Sequence, residues 1–286
     1  MKNFIHPIFL LSLISTLVIT SCSLQHNGIS SKSTALPSID KGAEDIVFVV
    51  DLSASMLAQD FQPNRIGAIK EIMKGIVTQK ANNRQLSIVV FAKEATVLCP
   101  LTSDAKQLLD AIDLMQVGLL ESGTAIGKGI TYGLYELSRS SAAKQGIIVL
   151  TDGVNASDDY PLEDVSRLAT QSGVQVSSIG IGCNGTAVAP ISRRASGKYI
   201  FGEVMVEIDE ELLKAVGEST QDKYYRVTCN ADLEKLPQVD NLLMEGTPKK
   251  NNTHTTNIQQ AEIDSLWQII KIDSEKVLEK FLDKTR

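Results

Sequence analysis

Histidine is the scarcest catalytic residue in this chain of 286 residues, with three copies at His6, His26 and His254. The first lies in an N-terminal apolar segment and the other two in polar stretches that read as linkers. No imidazole stands in the region expected to fold, which excludes a Ser-His-Asp triad and a histidine-rich zinc site. Cysteine is thin as well: Cys22, Cys99, Cys183 and Cys229 are far apart and form no C-x-x-C pair, so neither a structural zinc site nor a thioredoxin-like site is expected. Positive charge is also short. Lys and Arg total 28 against 34 for Asp and Glu, a net charge of −6, which offers no electrostatic attraction to phosphate backbones. Nucleic acid is therefore not an expected partner. The hydrophobic fraction of 43% is ordinary for a chain that buries a core.

The chain begins with what reads as an address. Met1-Lys2-Asn3 gives a short positive start, residues 4–19 are mostly apolar, and Ile19-Thr20-Ser21-Cys22 brings small residues up to a cysteine. The pattern resembles a bacterial lipoprotein signal, which implies removal of residues 1–21 and lipid on Cys22. An ordinary signal peptide or an uncleaved anchor is the alternative, but the apolar stretch, interrupted by His6-Pro7, is short for a span. Lipidation implies a cell-envelope location on a bacterial membrane, periplasmic or outer, held by acyl chains. Residues 22–43, rich in Ser, Gly, Asn and Lys, read as a flexible tether. Export permits disulfides, yet Cys99, Cys183 and Cys229 are an odd number and spacing does not establish a Cys183–Cys229 pair.

From residue 44 short Val- and Ile-rich runs alternate with segments of helical period. The runs at 46–50, 86–91, 147–150 and 174–181 lack polar alternation, as strands covered on both faces do. Residues 96–98 fit an edge strand and 224–227 a terminal one. Helices are predicted at 66–76, 105–115, 125–137, 162–170 and 210–218. This order predicts an α/β fold with a doubly wound, mostly parallel sheet flanked by helices. After residue 228, a stretch at 229–256 reads as a closing helix kinked at Pro237 and then a polar linker. Residues 257–286 read as a C-terminal amphipathic helix carrying the single Trp267. It is expected to pack on its own domain, with docking of a partner as the functional alternative.

Ligands of open parallel sheets bind outside the carboxyl ends of strands, where strand order reverses. Three polar clusters fall there. Asp51-Leu52-Ser53-Ala54-Ser55 follows the first strand, Thr151-Asp152-Gly153 follows the strand ending at Leu150, and Ser122-Gly123-Thr124 precedes a helix. Alone, each also reads as turn or N-cap chemistry. Together, two carboxylates and three hydroxyls suit a hard divalent cation such as Mg²⁺ (or Mn²⁺). Neutral hydroxyls leave the ion more electrophilic than an all-carboxylate cage, so an Asp or Glu from a protein partner can complete its shell. Asp51 is expected at a solvent-facing strand end.

Asp51-x-Ser53-x-Ser55, Thr124 and Asp152 resemble the metal-ion-dependent adhesion site (MIDAS) of von Willebrand factor type A (vWA) domains in order and spacing, over residues 44–228. Within that superfamily the segments Met56-Leu57-Ala58-Gln59-Asp60-Phe61-Gln62-Pro63-Asn64-Arg65, Cys99-Pro100-Leu101-Thr102 and Glu121-Ser122-Gly123-Thr124-Ala125-Ile126-Gly127 are similar to the bacterial Bat aerotolerance group, BatA in particular. The resemblance implies a Rossmann-like vWA fold and metal-assisted protein binding without catalysis. It places Ser53, Ser55 and Thr124 at the ion, with Asp51 and Asp152 acting directly or through water. It also implies other Bat-like proteins as partners and, indirectly, a MoxR-type ATPase. The chain departs from the group in offering a lipobox where members generally have spanning helices. In plain structural terms, Pro63 fits a helix start and Arg65 a solvated face.

Two other motifs carry less. Gly180-Ile-Gly182-Cys-Asn-Gly185 matches G-x-G-x-x-G after a strand, but the residues that follow are a poor helix start, so no dinucleotide is expected. Gly127-Lys128 lacks the rest of a P-loop. The rival functions are a Mg²⁺-dependent phosphotransferase of haloacid-dehalogenase type, with Asp51 as nucleophile, and a metal-free structural lipoprotein. The first wants a second aspartate two positions on as proton donor, where this chain has Ser53.

Overall fold

The computed structural model describes residues 40–153, 160–220, 223–233 and 257–285. The expected signal, Cys22, nearly all of the tether and most of the stretch 229–256 lie outside them. Six strands form one sheet in the order β3-β2-β1-β4-β5-β8. They are β1 (Asp40–Asp51), β2 (Arg84–Phe91), β3 (Ala95–Thr102), β4 (Ala142–Thr151), β5 (Gln175–Ile181) and β8 (Tyr224–Val227). All neighbours are parallel except the β2–β3 pair. β1 begins inside the predicted tether because Asp40 pairs with Ala142 across a register shift.

Helices α1 (Arg65–Gln79) and α2 (Ala105–Leu114) cover one face, and α3 (Ile126–Ser138), α4 (Leu162–Ser172) and α5 (Glu210–Ser219) the other. The central strand shows why its sequence is continuously apolar. Ile46, Phe48 and Val50 enter the core under α1 and α2, while Val47 and Val49 enter the core under α3. Strand side chains alternate between faces, so a strand covered twice favours apolar residues at successive positions. Burying each such residue contributes on the order of 1.5–3 kcal/mol. The glycines of α3 serve close packing: a Cβ on Gly129 would lie 2.8 Å from Phe91 and Val49, and one on Gly133 3.0 Å from Ile147. This is the role of the residues around the rejected P-loop match.

The long helix α7 (Asn257–Asp283) packs on its own domain, across the edge strand β3. Trp267 and Ile270 join the α3-side core, Tyr135 and Trp267 placing their rings 6.0 Å apart, whereas Val277 and Phe281 join the opposite core. Between them Ser274 faces the strand. Its hydroxyl accepts the Val97 N–H at 2.9 Å and its carbonyl accepts the Thr96 hydroxyl at 2.8 Å. An edge strand presents unpaired backbone groups, and α7 satisfies some of them. Among the described residues no helix is long and apolar enough to cross a membrane. The 229–256 stretch contributes only a short α6 (Asn230–Leu233) to the described structure.

The alternation of strands and helices missed one element. Between β5 and α5 stands an antiparallel hairpin, β6 (Gly185–Arg193) and β7 (Tyr199–Val206), outside the main sheet. It is tied to the loop after β1 by the Gln59 N–H, which donates to the Val188 carbonyl at 2.8 Å.

Candidate metal centre

The strand order reverses between β1 and β4, so the crevice of the doubly wound sheet opens at their carboxyl ends. The register Val50↔Leu150 sets Asp51 beside Thr151. The Thr151 hydroxyl donates to Asp51 Oδ2 at 2.6 Å, and the Ser53 N–H donates to Asp51 Oδ1 at 2.7 Å. Ser53 opens a single 3-10 turn, Ala54–Leu57. The Met56 N–H closes back on the Ser53 carbonyl, and the Ser53 and Ser55 hydroxyl oxygens meet at 2.9 Å. Spacing by two residues in this turn therefore brings both hydroxyls to one point.

Thr124 comes from a different loop, seated on the turn that follows β2, next to β1. The Ala125 N–H donates to the Ala92 carbonyl at 2.7 Å and the Lys93 N–H to the Glu121 carbonyl at 3.2 Å. Gly123, at φ +144, lets the loop approach: a Cβ there would stand 2.9 Å from that of Lys93. Thr124 is buried and is not the helix cap. Ala125 occupies that position with no side-chain hydrogen bond, so the capping role that its place before α3 also suggested does not apply.

Two expectations need correction. Asp51 is 0% exposed, so the strand end it occupies is not solvent-facing. Arg65 is 1% exposed, not on a solvated face. Its guanidinium bridges two carboxylates, donating from Nε and Nη2 to Asp60 at 2.9 and 2.7 Å and from Nη1 to Asp152 Oδ2 at 2.8 Å. The Cys183 N–H adds a bond to Asp60 Oδ2 at 2.9 Å. Gly182 makes the space, since a Cβ there would lie 2.7 Å from the guanidinium carbon. The second glycine of the false dinucleotide fingerprint thus serves an arginine, and the segment after it continues into β6, not a helix. Cys99, Cys183 and Cys229 are all free thiols.

The electrostatics are unbalanced. Burial, followed by the nearby Asp152 charge, pushes the Asp51 carboxyl up to about 7 against the hydrogen bonds from Thr151 and Ser53. Burial works against ionised Asp60 too, but Arg65 and the Cys183 N–H outweigh it and hold that carboxyl below its ordinary value. Asp152 is 1% exposed, and its buried Oδ1 has no hydrogen-bond partner among the described residues. The Arg65 guanidinium bonds Asp60 and Asp152 while Asp51 receives only the Thr151 hydroxyl and the Ser53 N–H, so one cationic side chain stands among three buried carboxyl groups. Unpaired buried charge is costly. A divalent cation fits this donor set: Asp152 Oδ1 lacks a partner among the described residues, the Ser53 and Ser55 hydroxyls meet at one point, and the buried carboxyl groups outnumber the one guanidinium. Among the described residues no cluster of three or more His, Cys, Asp or Glu side chains is arranged around a metal. Any ion here would depend on the hydroxyls.

Comparison with known proteins agrees with this architecture. A crystal structure of BatB from Bacteroides thetaiotaomicron is 28% identical, covering 68% of this chain and 95% of that one at a TM-score of 0.58. Proximal thread matrix protein 1 of the mussel byssus, with a zinc-occupied MIDAS motif, is 25% identical over 68% of this chain and 44% of its own, at a TM-score of 0.52. An uncharacterised protein of Borreliella burgdorferi is 36% identical over 187 residues, 64% of this chain and 53% of its length. The chain matches somewhat more than half the length of such curated relatives. The von Willebrand factor type A domain family matches residues 45–238, and the chain belongs to that family.

Proposed function

We propose that this protein is a divalent-cation-dependent protein-binding module rather than an enzyme. The observation that carries the reading is the buried Oδ1 of Asp152, without a hydrogen-bond partner among the described residues, near a fully buried Asp51. Ser53, Ser55 and Thr124 would hold Mg²⁺ or Mn²⁺ through hydroxyl oxygens, with Asp51 and Asp152 binding directly or through water. The bound ion supplies charge compensation and an electrophilic position for a carboxylate from a partner. Arg65 positions Asp152 and Asp60, and Thr151 with the Ser53 N–H orients Asp51. The zinc-occupied MIDAS of the mussel protein supports a metal at this place in the fold.

The finer reading is a lipoprotein anchored through Cys22 in a bacterial cell envelope, joined to other Bat-like proteins and indirectly to a MoxR-type ATPase. The N-terminal pattern and the Bat-like resemblance support it. The phosphotransferase alternative is disfavoured by Ser53, which stands two positions after Asp51 where such a site needs an aspartate as proton donor.

The test is calorimetric titration of the purified chain with Mg²⁺ and Mn²⁺, followed by capture from detergent-solubilised membranes with and without chelator. The expected result is cation binding that Asp51→Asn abolishes, together with chelator-sensitive capture of a defined protein. Equal capture by wild type and Asp51→Asn in chelator and in Mg²⁺ would sink the proposal.

A further inference from the structure

A cavity of about 600 Å³ lies beside the turn that carries Ser55. Its walls come from that turn (Leu57), the loop leading to Thr124 (Leu119), the β6–β7 hairpin (Arg193, Lys198, Tyr199) and the end of α7 (Lys284). Three cations line it and no carboxylate does, in a chain whose net charge is −6. Arg193 stacks 5.1 Å from the Tyr199 ring centre and donates to the Gly118 carbonyl at 3.2 Å, and Lys284 donates to the Leu119 carbonyl at 2.6 Å. These carbonyl contacts hold Arg193 and Lys284 in place without neutralising them. Among the described residues none of the three cations is in an ion pair with a carboxylate. The hairpin that forms one wall also keeps apolar side chains in water, with Phe201 exposed and Met205, on the same face of β7, 71% exposed. Such a patch beside polar walls marks an interaction site.

We infer that this cavity binds an acidic peptide segment of a protein partner, its carboxylates meeting Arg193, Lys198 and Lys284 and its apolar side chains lying on the hairpin. The inference rests on the partner-binding reading above for the nature of the occupant. Its preference for negative charge rests on the cavity alone. Opposite charge across an interface sets specificity and encounter rate, and Arg193 and Lys284, already held by internal contacts, lose little freedom on binding.

The test uses the full chain and a fluorescent ten-residue peptide bearing four glutamates and two leucines in a glycine-serine background, with glutamine replacing glutamate in the control. Anisotropy is read in Mg²⁺ and in chelator. The glutamate peptide is expected to bind and the glutamine peptide to bind at least about tenfold more weakly. The double variant Lys198→Gln with Lys284→Gln should lose about fivefold to tenfold for the glutamate peptide, and 0.5 M salt should have the same effect. Lys198→Gln alone, which removes no ion pair or side-chain hydrogen bond among the described residues, should lose about threefold with an unchanged melting temperature. Equal binding of the two peptides, no binding of either, or full binding by both lysine variants would overturn the inference. Charge-selective binding that ignores Mg²⁺ and survives Asp51→Asn would uphold the cavity and count against the metal reading. Mg²⁺-dependent binding indifferent to the lysine variants would do the reverse.

Discussion

Strand β1 carries a buried aspartate near each end of its apolar run, and the two are treated differently. At the amino end Asp45 accepts the Ser140 hydroxyl at 2.6 Å, while the adjoining Glu44 forms an ion pair with Arg84. Burial still raises Asp45, but the cluster is internally satisfied. At the carboxyl end Asp51 and Asp152 share one face of a crevice, and one carboxylate oxygen is left without a partner among the described residues. The amino end fixes strands in place. The carboxyl end holds charge that the polypeptide does not balance, which is what a binding site for a cation requires.

The largest way to break this contrast is Arg65→Met. It strips Asp60 and Asp152 of their guanidinium, and denaturant melts should show a loss of about 3–5 kcal/mol. A loss below ~1 kcal/mol would mean that the bridge is not part of the folded framework. Next, Mg²⁺ at about a hundred times its dissociation constant should stabilise the wild type by about 2.7 kcal/mol, a gain that chelator removes and Asp51→Asn never shows. A similar gain in the variant would place the ion elsewhere. In chelator at neutral pH, Asp51→Asn should match wild type in stability to within about 1 kcal/mol, because the amide removes a charge facing Asp152 and keeps an oxygen for Thr151 but sets its NH2 against the Ser53 N–H. A clear loss of stability would show that the carboxylate is structural. The smallest effect belongs to the amino end: Ser140→Ala should cost about 1 kcal/mol by thermal melt and leave the Mg²⁺ response unchanged.

Much of this was legible in the residues because it follows from local rules. Val47 and Val49 alternate with Ile46, Phe48 and Val50 without a polar break, which only a doubly covered strand tolerates, so the sheet could be read directly. Asp51, the two serines and Asp152 follow strand ends, where topology gathers ligand groups. Arg65 was not legible as a site residue. Its burial depends on Gly182 and Asp152, both distant in the chain, and the local pattern at Pro63-Asn64-Arg65 is only that of a helix start, with Asn64 capping through the Gly67 N–H. The hairpin escaped because β7 alternates between half-buried and exposed positions, so it presents no continuous apolar run. The available signal was Ser196-Gly197, with Gly197 at φ +83 as a turn between two strand-like segments. The helix α7 was readable as a helix, but its seat was not, since amphipathic spacing does not say which edge it will cross.

Because α7 lies beyond residue 238, a fragment trimmed to the family match would expose the flank of β3, with Thr96 and Val97 no longer capped by Ser274. That raw border is a template for strand addition by a second molecule. Such a fragment is expected to elute from a sizing column as dimers or larger aggregates, while the full chain, carrying its own strap, stays monodisperse.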